Sequence, residues 1–108
     1  MRLKPQVSGV TPREIWDRQC WAGASFMPRE ETEMRHEIGI DRVMWGSDYP
    51  HVEGTWPLTK KFLSEAFAGL PEGDVRRMVG ENAIECYGFD AAELAPIAER
   101  VGPEAESL

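Results

Sequence analysis

At 108 residues the chain has room for one small domain with a modest core. Hydrophobic content of 42%, with four Trp, four Phe and two Tyr, speaks for a folded chain over a disordered one. A formal net charge of -7, from 19 acidic against 12 basic residues, disfavours a nucleic-acid partner, since phosphate binding requires a basic face and Arg2, Lys4, Arg13 and Arg18 are too dispersed to form one.

Cys20 and Cys86 make no disulfide framework and are expected as free thiols in a reducing compartment. Met1 to Pro5 leads into no apolar core, so no signal peptide is expected. No run reaches the roughly 20 apolar residues of a spanning helix. The expectation is a cytoplasmic protein with no membrane partner.

Residues 1–10 read as an irregular lead-in. Thr11-Pro12-Arg13-Glu14 then starts a short helix: Thr11 can cap, Pro12 suits the first turn, and Glu14 closes a capping box. Gln19 to Ser25 is a brief apolar run, read as a buried strand over Cys20–Ser25. Pro28 to Glu37 is charged, with Met27, Met34 and Ile38 at helical spacing, and is expected as a surface helix ending at Gly39. Val43, Met44 and Trp45 are consecutive apolar residues without alternation, the pattern of a strand covered on both faces, as in a parallel sheet flanked by helices.

The clearest helical pattern follows. Thr55 is read as its cap and Pro57 as a first-turn residue, with Leu58, Phe62, Leu63, Ala66, Phe67 and Leu70 on one face. A further short helix is expected over 74–79 with Val75, Met78 and Val79 inward, stopped by Gly80. Asn82 is read as the cap of a last turn, packed down by Tyr87 and Phe89. Residues 91–108 are expected as a flexible tail.

Two parallel strands bury little unless further strands lie beside them. The elements read as part of an α/β barrel, yet the length supplies about a quarter of one. The expectation is therefore a fragment, a truncated gene product, or a piece that packs against another chain. The apolar faces that the rest of a barrel would cover lead to a further expectation of self-association or of a partner chain completing the barrel.

The chemistry points to Asp48, which emerges at the carboxyl end of the second strand, where barrel enzymes place their catalytic groups. A carboxylate there can bind a divalent metal or take a proton from metal-bound water. It can equally accept turn hydrogen bonds ahead of Pro50. His51 is open between metal ligand, substrate contact and ordinary loop histidine, while His36, between Arg35 and Glu37, is expected to face solvent. Tyr49 and Trp56, with Glu53, are candidates for a pocket rim. Ser47 lacks the Gly-x-Ser-x-Gly elbow of a nucleophile. One Asp and one His do not complete a zinc site with three protein ligands.

The string Asp41-Arg42-Val43-Met44-Trp45-Gly46-Ser47-Asp48-Tyr49-Pro50-His51, with Asn82-Ala83 and Tyr87-Gly88 downstream, resembles the end of the amidohydrolase-related family, the amidohydrolase 2 group. That group includes aminocarboxymuconate-semialdehyde decarboxylase and related hydroxybenzoate decarboxylases, and the similarity runs from about Pro12 to Phe89. The resemblance implies the last two strands, seven and eight, of a (β/α)8 barrel, incomplete on its own, with residues 11–90 as its carboxyl-terminal portion. It implies Asp48 as both metal-site and proton-transfer residue and His51 as shaping the substrate pocket, for which Tyr49 and Trp56 are the rim candidates already read from the loop. The remaining ligands, a His-x-His pair and two further histidines, belong to strands that these residues do not include. The implied activity is zinc-dependent hydrolysis or non-oxidative decarboxylation of a small carboxylated or cyclic metabolite by the complete enzyme. Metal binding by this chain alone is expected to be weak or nil. The competing reading is a catalytically inactive truncated paralogue with a structural or partner-binding role.

Overall fold

The computed structural model describes residues 9–108, so the expected lead-in lies outside the described residues except for Gly9 and Val10, which join no helix or strand. Helix α1, Pro12–Gln19, opens on the expected capping box: Glu14 N donates to Thr11 Oγ1 at 3.2 Å, and Thr11 N donates to Glu14 Oε2 at 2.6 Å. Strand β1, Ala22–Ser25, begins two residues later than expected. It pairs in parallel with β2, Val43–Gly46, in the register Ala22 to Val43 and Ala24 to Trp45. The described chain is thus an α/β unit with a two-stranded parallel sheet.

The segment between the strands is two short helices, α2 (Arg29–Glu33) and α3 (Arg35–Ile38), broken at Met34, where a single helix was expected. It is not purely a surface element. Buried Thr32 donates from Oγ1 to Ala66 O at 2.9 Å, and Arg29 Nη1 donates to Ala68 O at 2.7 Å. Together they satisfy carbonyls that the end of the next helix, α4 (Thr59–Phe67), leaves without intrahelical partners. Arg35 Nε donates to Asp74 Oδ2 at 2.8 Å, fixing α3 to the helix that holds Asp74. His36 is largely exposed, as expected, although its Nε2 stands 3.1 Å from the same carboxylate oxygen.

Helix α4 runs Thr59–Phe67, with Leu58 in the cap position. Thr55 and Pro57 therefore belong to the preceding loop, a correction to the expected start. Leu63, Ala66 and Phe67 are buried, while Leu58 and Phe62 remain exposed, so the inward stripe is narrower than the periodicity implies. Helix α5 (Glu72–Arg76), a π-helical turn (Arg77–Glu81) and α6 (Asn82–Tyr87) follow without interruption. Gly80 does not stop the helix, and Asn82 is not a cap. The reason is tertiary: Asn82, fully buried, donates from Nδ2 to Ile40 O and Val43 O, each at 2.8 Å, and anchors the helix against the start of β2.

The core consists of Met27, Val43, Leu63, Ala66, Phe67 and Met78, with Ala24, Ile38, Trp45, Leu70 and Val75 packed around it. Val79, Tyr87 and Phe89 point outward, against expectation, and the last two rings contact each other with centroids 5.6 Å apart. Among the described residues the sheet is not covered on both faces: Val43 is the one buried strand residue, and Gly23 and Ser25 are exposed. Residues 91–108, expected as a tail, contain helix α7 (Ala91–Val101), capped by Asp90, whose carboxylate accepts from Ala92 N at 2.9 Å and Glu93 N at 3.2 Å. A 3-10 turn, Ala105–Ser107, follows, and Leu108 returns to the core edge.

Candidate functional site

Both strands leave the sheet through a residue with positive φ: Phe26 at 43° one position past β1, and Asp48 at 56° two positions past β2. Phe26 N donates to Gly46 O at 2.9 Å, so the two exits lie side by side at the carboxyl edge. Asp tolerates the left-handed region better than most residues because its short polar side chain bonds locally. The backbone thereby leaves the extended strand conformation at Asp48 itself.

The loop from Ser47 to Thr55 is closed by its own backbone. His51 N donates to Asp48 O, Gly54 N to His51 O, and Thr55 N to Ser47 O, all at 2.9 Å, and Tyr49 N donates to Ser47 Oγ at 3.3 Å. Thr55 is buried and its Oγ1 lies 3.1 Å from Thr59 Oγ1, tying the loop to the first turn of α4. Gly54 is the wedge: a Cβ there would stand 2.8 Å from Ser47 O, 2.9 Å from Asp48 O and 3.0 Å from His51 O. Sequence reasoning passed over this glycine, although a Gly in a polar loop is the available signal for close backbone approach.

Within this loop His51 Nδ1 stands 3.3 Å from Asp48 Oδ2, with the Asp48 side chain about one-third exposed (33%) and the imidazole 75% exposed. Carboxylate and imidazole so placed can hold or pass a proton. Tyr49 and Trp56 meet edge to face, with ring centroids 6.0 Å apart and planes at 75°, and both are mainly exposed. The four residues singled out from sequence are therefore brought together on one loop, but as an open platform. Two surface depressions among the described residues lie elsewhere: one is lined by Glu14, Asp17, Arg18 and Arg42 near the amino ends of the strands, the other by Trp16, Met34 and Ile38, and neither includes Asp48 or His51.

Among the described residues, no three His, Cys, Asp or Glu side chains gather in a way that could hold a metal. Asp48 and His51 offer two donors, short of the three protein ligands a catalytic zinc takes. The described residues do not by themselves fit a complete metal centre.

The model of the Amidohydrolase family, Amidohydro_2, matches residues 5–89, a span containing both strands, α4 and the whole Asp48 loop. The chain belongs to the amidohydrolase family. Comparison with individual curated proteins gives no match. In this amidohydrolase the matched span ends at Phe89, so Asp90 and helix α7 lie beyond it. Among the described residues no helix is long and apolar enough to cross a membrane.

Proposed function

We propose that this amidohydrolase segment is the carboxyl-terminal part of a barrel-type catalytic domain, and that Asp48 is its acid–base group at a divalent metal, zinc by preference. The observation that carries the reading is the placement of Asp48 at the carboxyl edge of a parallel strand pair, in a left-handed backbone conformation, inside the family-matched span. Two further observations support a larger sheet. The two-stranded sheet leaves one edge of each strand open among the described residues. The indole Nε1 atoms of Trp21 and Trp45 are buried without a hydrogen-bond partner among the described residues, a cost that additional packed chain would relieve.

The bound metal would supply Lewis acidity, and the other strands of the barrel would supply the rest of its ligands. The chain's own residues orient the reaction. Asp48 takes up and returns the proton at its carboxylate, and His51 Nδ1, 3.3 Å from Oδ2, steadies that group. The Tyr49–Trp56 corner forms one wall of the substrate pocket. The substrate is a small carboxylated or cyclic metabolite, cleaved by hydrolysis or by non-oxidative decarboxylation of the aminocarboxymuconate-semialdehyde decarboxylase kind. A cytoplasmic compartment accords with Cys20 and Cys86 standing as free thiols.

The test is turnover and metal content of Asp48→Asn and His51→Asn in the complete catalytic domain. Asp48→Asn should lower turnover by roughly 10²–10⁴-fold with the fold retained, the range of one positioned acid–base group. His51→Asn should cost less and act on substrate binding. Near-normal activity in Asp48→Asn makes the motif structural and removes the assignment. A complete domain without turnover even in the wild type would instead leave the alternative, an inactive paralogue with a partner-binding role.

A further inference from the structure

Helix α7 is eleven residues long, contains Pro96 in its interior and buries none of its side chains among the described residues. Short helices gain most of their stability from packing an amphipathic face, and an internal proline makes that dependence stronger. The apolar face exists: Leu94, Ile97 and Val101 follow one another at spacings of three and four, are 36%, 50% and 68% exposed, and are joined by Ala98. Pro96 falls on the opposite side. Glu93 and Arg100, seven residues apart, flank the stripe on the same side, and neither has an ion-pair partner among the described residues.

We propose that this stripe is a self-recognition surface, on which α7 of a second copy of the chain packs antiparallel. The charge pattern selects both the occupant and its direction. When two copies cross antiparallel near Ile97, Leu94 of each meets Val101 of the other, and Ile97 and Ala98 meet across the twofold axis. Glu93 of each copy then lies beside Arg100 of the other, so the pairing is satisfied twice. Flanking charges of this kind set partner and orientation in paired helices. A parallel pairing sets Glu93 beside Ala98 and leaves both charges without a counter-charge. The patch is smaller than the roughly 800 Å² per partner of a standard stable interface, so the association is weak and concentration-dependent. It is independent of the catalytic reading, because α7 lies outside the family-matched span.

The experiment is sedimentation velocity across a concentration series on the full chain, with Glu93→Arg, Arg100→Glu and the double reversal. Each single reversal places like charges in contact twice and should weaken self-association at least about tenfold. The double reversal should restore it, and an equimolar mixture of the two single variants should associate where each alone does not. A wild-type chain that stays monomeric, single variants indistinguishable from wild type, or a double variant that fails to recover overturns the proposal. Should a single variant lose helical circular dichroism, Ile97→Cys in a Cys20→Ser, Cys86→Ser background decides: it should cross-link to its own copy on oxidation, and Leu94→Cys should not. Equal cross-linking of the two equally overturns the antiparallel pairing.

Discussion

Asn82 Nδ2 bridges two carbonyls of one strand entry, Ile40 O and Val43 O, each at 2.8 Å, from a side chain with no solvent exposure. A buried acceptor stripped of its donor costs about 1–3 kcal/mol. Asn82→Ala should therefore destabilise the chain by an amount in that range or above, read as a shift of the urea or thermal midpoint. Asn82→Asp should be worse, because a carboxylate in place of the amide faces two carbonyl oxygens. Equal stability of Asn82→Asp and wild type would contradict the anchoring role.

Gly54 leaves no room for a methyl group, since three carbonyl oxygens converge within 3.0 Å of its Cβ direction. Gly54→Ala should cost about 1–3 kcal/mol, the usual range for overpacking a tight site, and in the complete domain should also lower turnover by displacing the Asp48 backbone. Gly73→Ala is the matched control. It sits in α5 with nothing within 4 Å of the added carbon, and should stabilise the helix by roughly 0.5–1 kcal/mol. The pair separates a loop effect from a general effect of losing glycine.

Asp48 adopts φ 56°, a region in which glycine carries no penalty. Asp48→Gly should therefore leave the melting temperature unchanged or raise it, while removing the carboxylate that the proposed chemistry uses. Stability and turnover moving in opposite directions is the expected signature of a strained functional residue. A marked loss of stability in Asp48→Gly would assign the carboxylate a structural role.

The Arg35–Asp74 contact predicts an acid-sensitive link. The hydrogen bond from Arg35 holds the Asp74 carboxyl below its ordinary value of 3.8, with charge attraction from Arg35 and His36 adding to it and partial burial opposing it. A group that binds its proton more weakly folded than unfolded adds stability above the unfolded pKa and loses it as pH falls through the folded one. Asp74→Asn should thus be less stable than wild type at neutral pH, and the difference should shrink below about pH 4. A gap that is constant from pH 7 to pH 3, measured by denaturant midpoints, would exclude the linkage.

What could be read ahead of the structure was whatever is settled locally. The Thr11–Glu14 box closes within four residues, and the Val43–Trp45 run identifies a strand whichever neighbours it meets. The Asp48 loop was legible as a constellation because Asp48, Tyr49, His51 and Trp56 are close in sequence, so proximity was assured and only geometry was missing. The misreadings share a cause. Asn82 followed by Glu85 has the local look of a capping box, but its amide is claimed by carbonyls some forty positions earlier. Gly80 looks like a stop, yet the chain continues through a π-helical turn packed on β2. Pro96 and the Ala- and Glu-rich composition suggested a tail, where the Asp90 cap and the helix-forming alanines prevail. Arg35 and Asp74 are 39 positions apart, and nothing in either neighbourhood announces the other.

The self-closing loop after β2 separates what holds its shape from what it displays. Three of its internal bonds run between main-chain atoms, the fourth uses the Ser47 hydroxyl, and its tight spot is a glycine, so the exposed side chains of Val52 and Glu53 make none of the bonds that close it. Substitution at those positions can alter what the platform touches without reopening the loop that carries Asp48. On the proposed function, a scaffold of that kind lets substrate preference drift across descendants while the carboxylate proposed to handle the proton stays in register, so libraries randomised at Val52 and Glu53 are the economical route to new specificities.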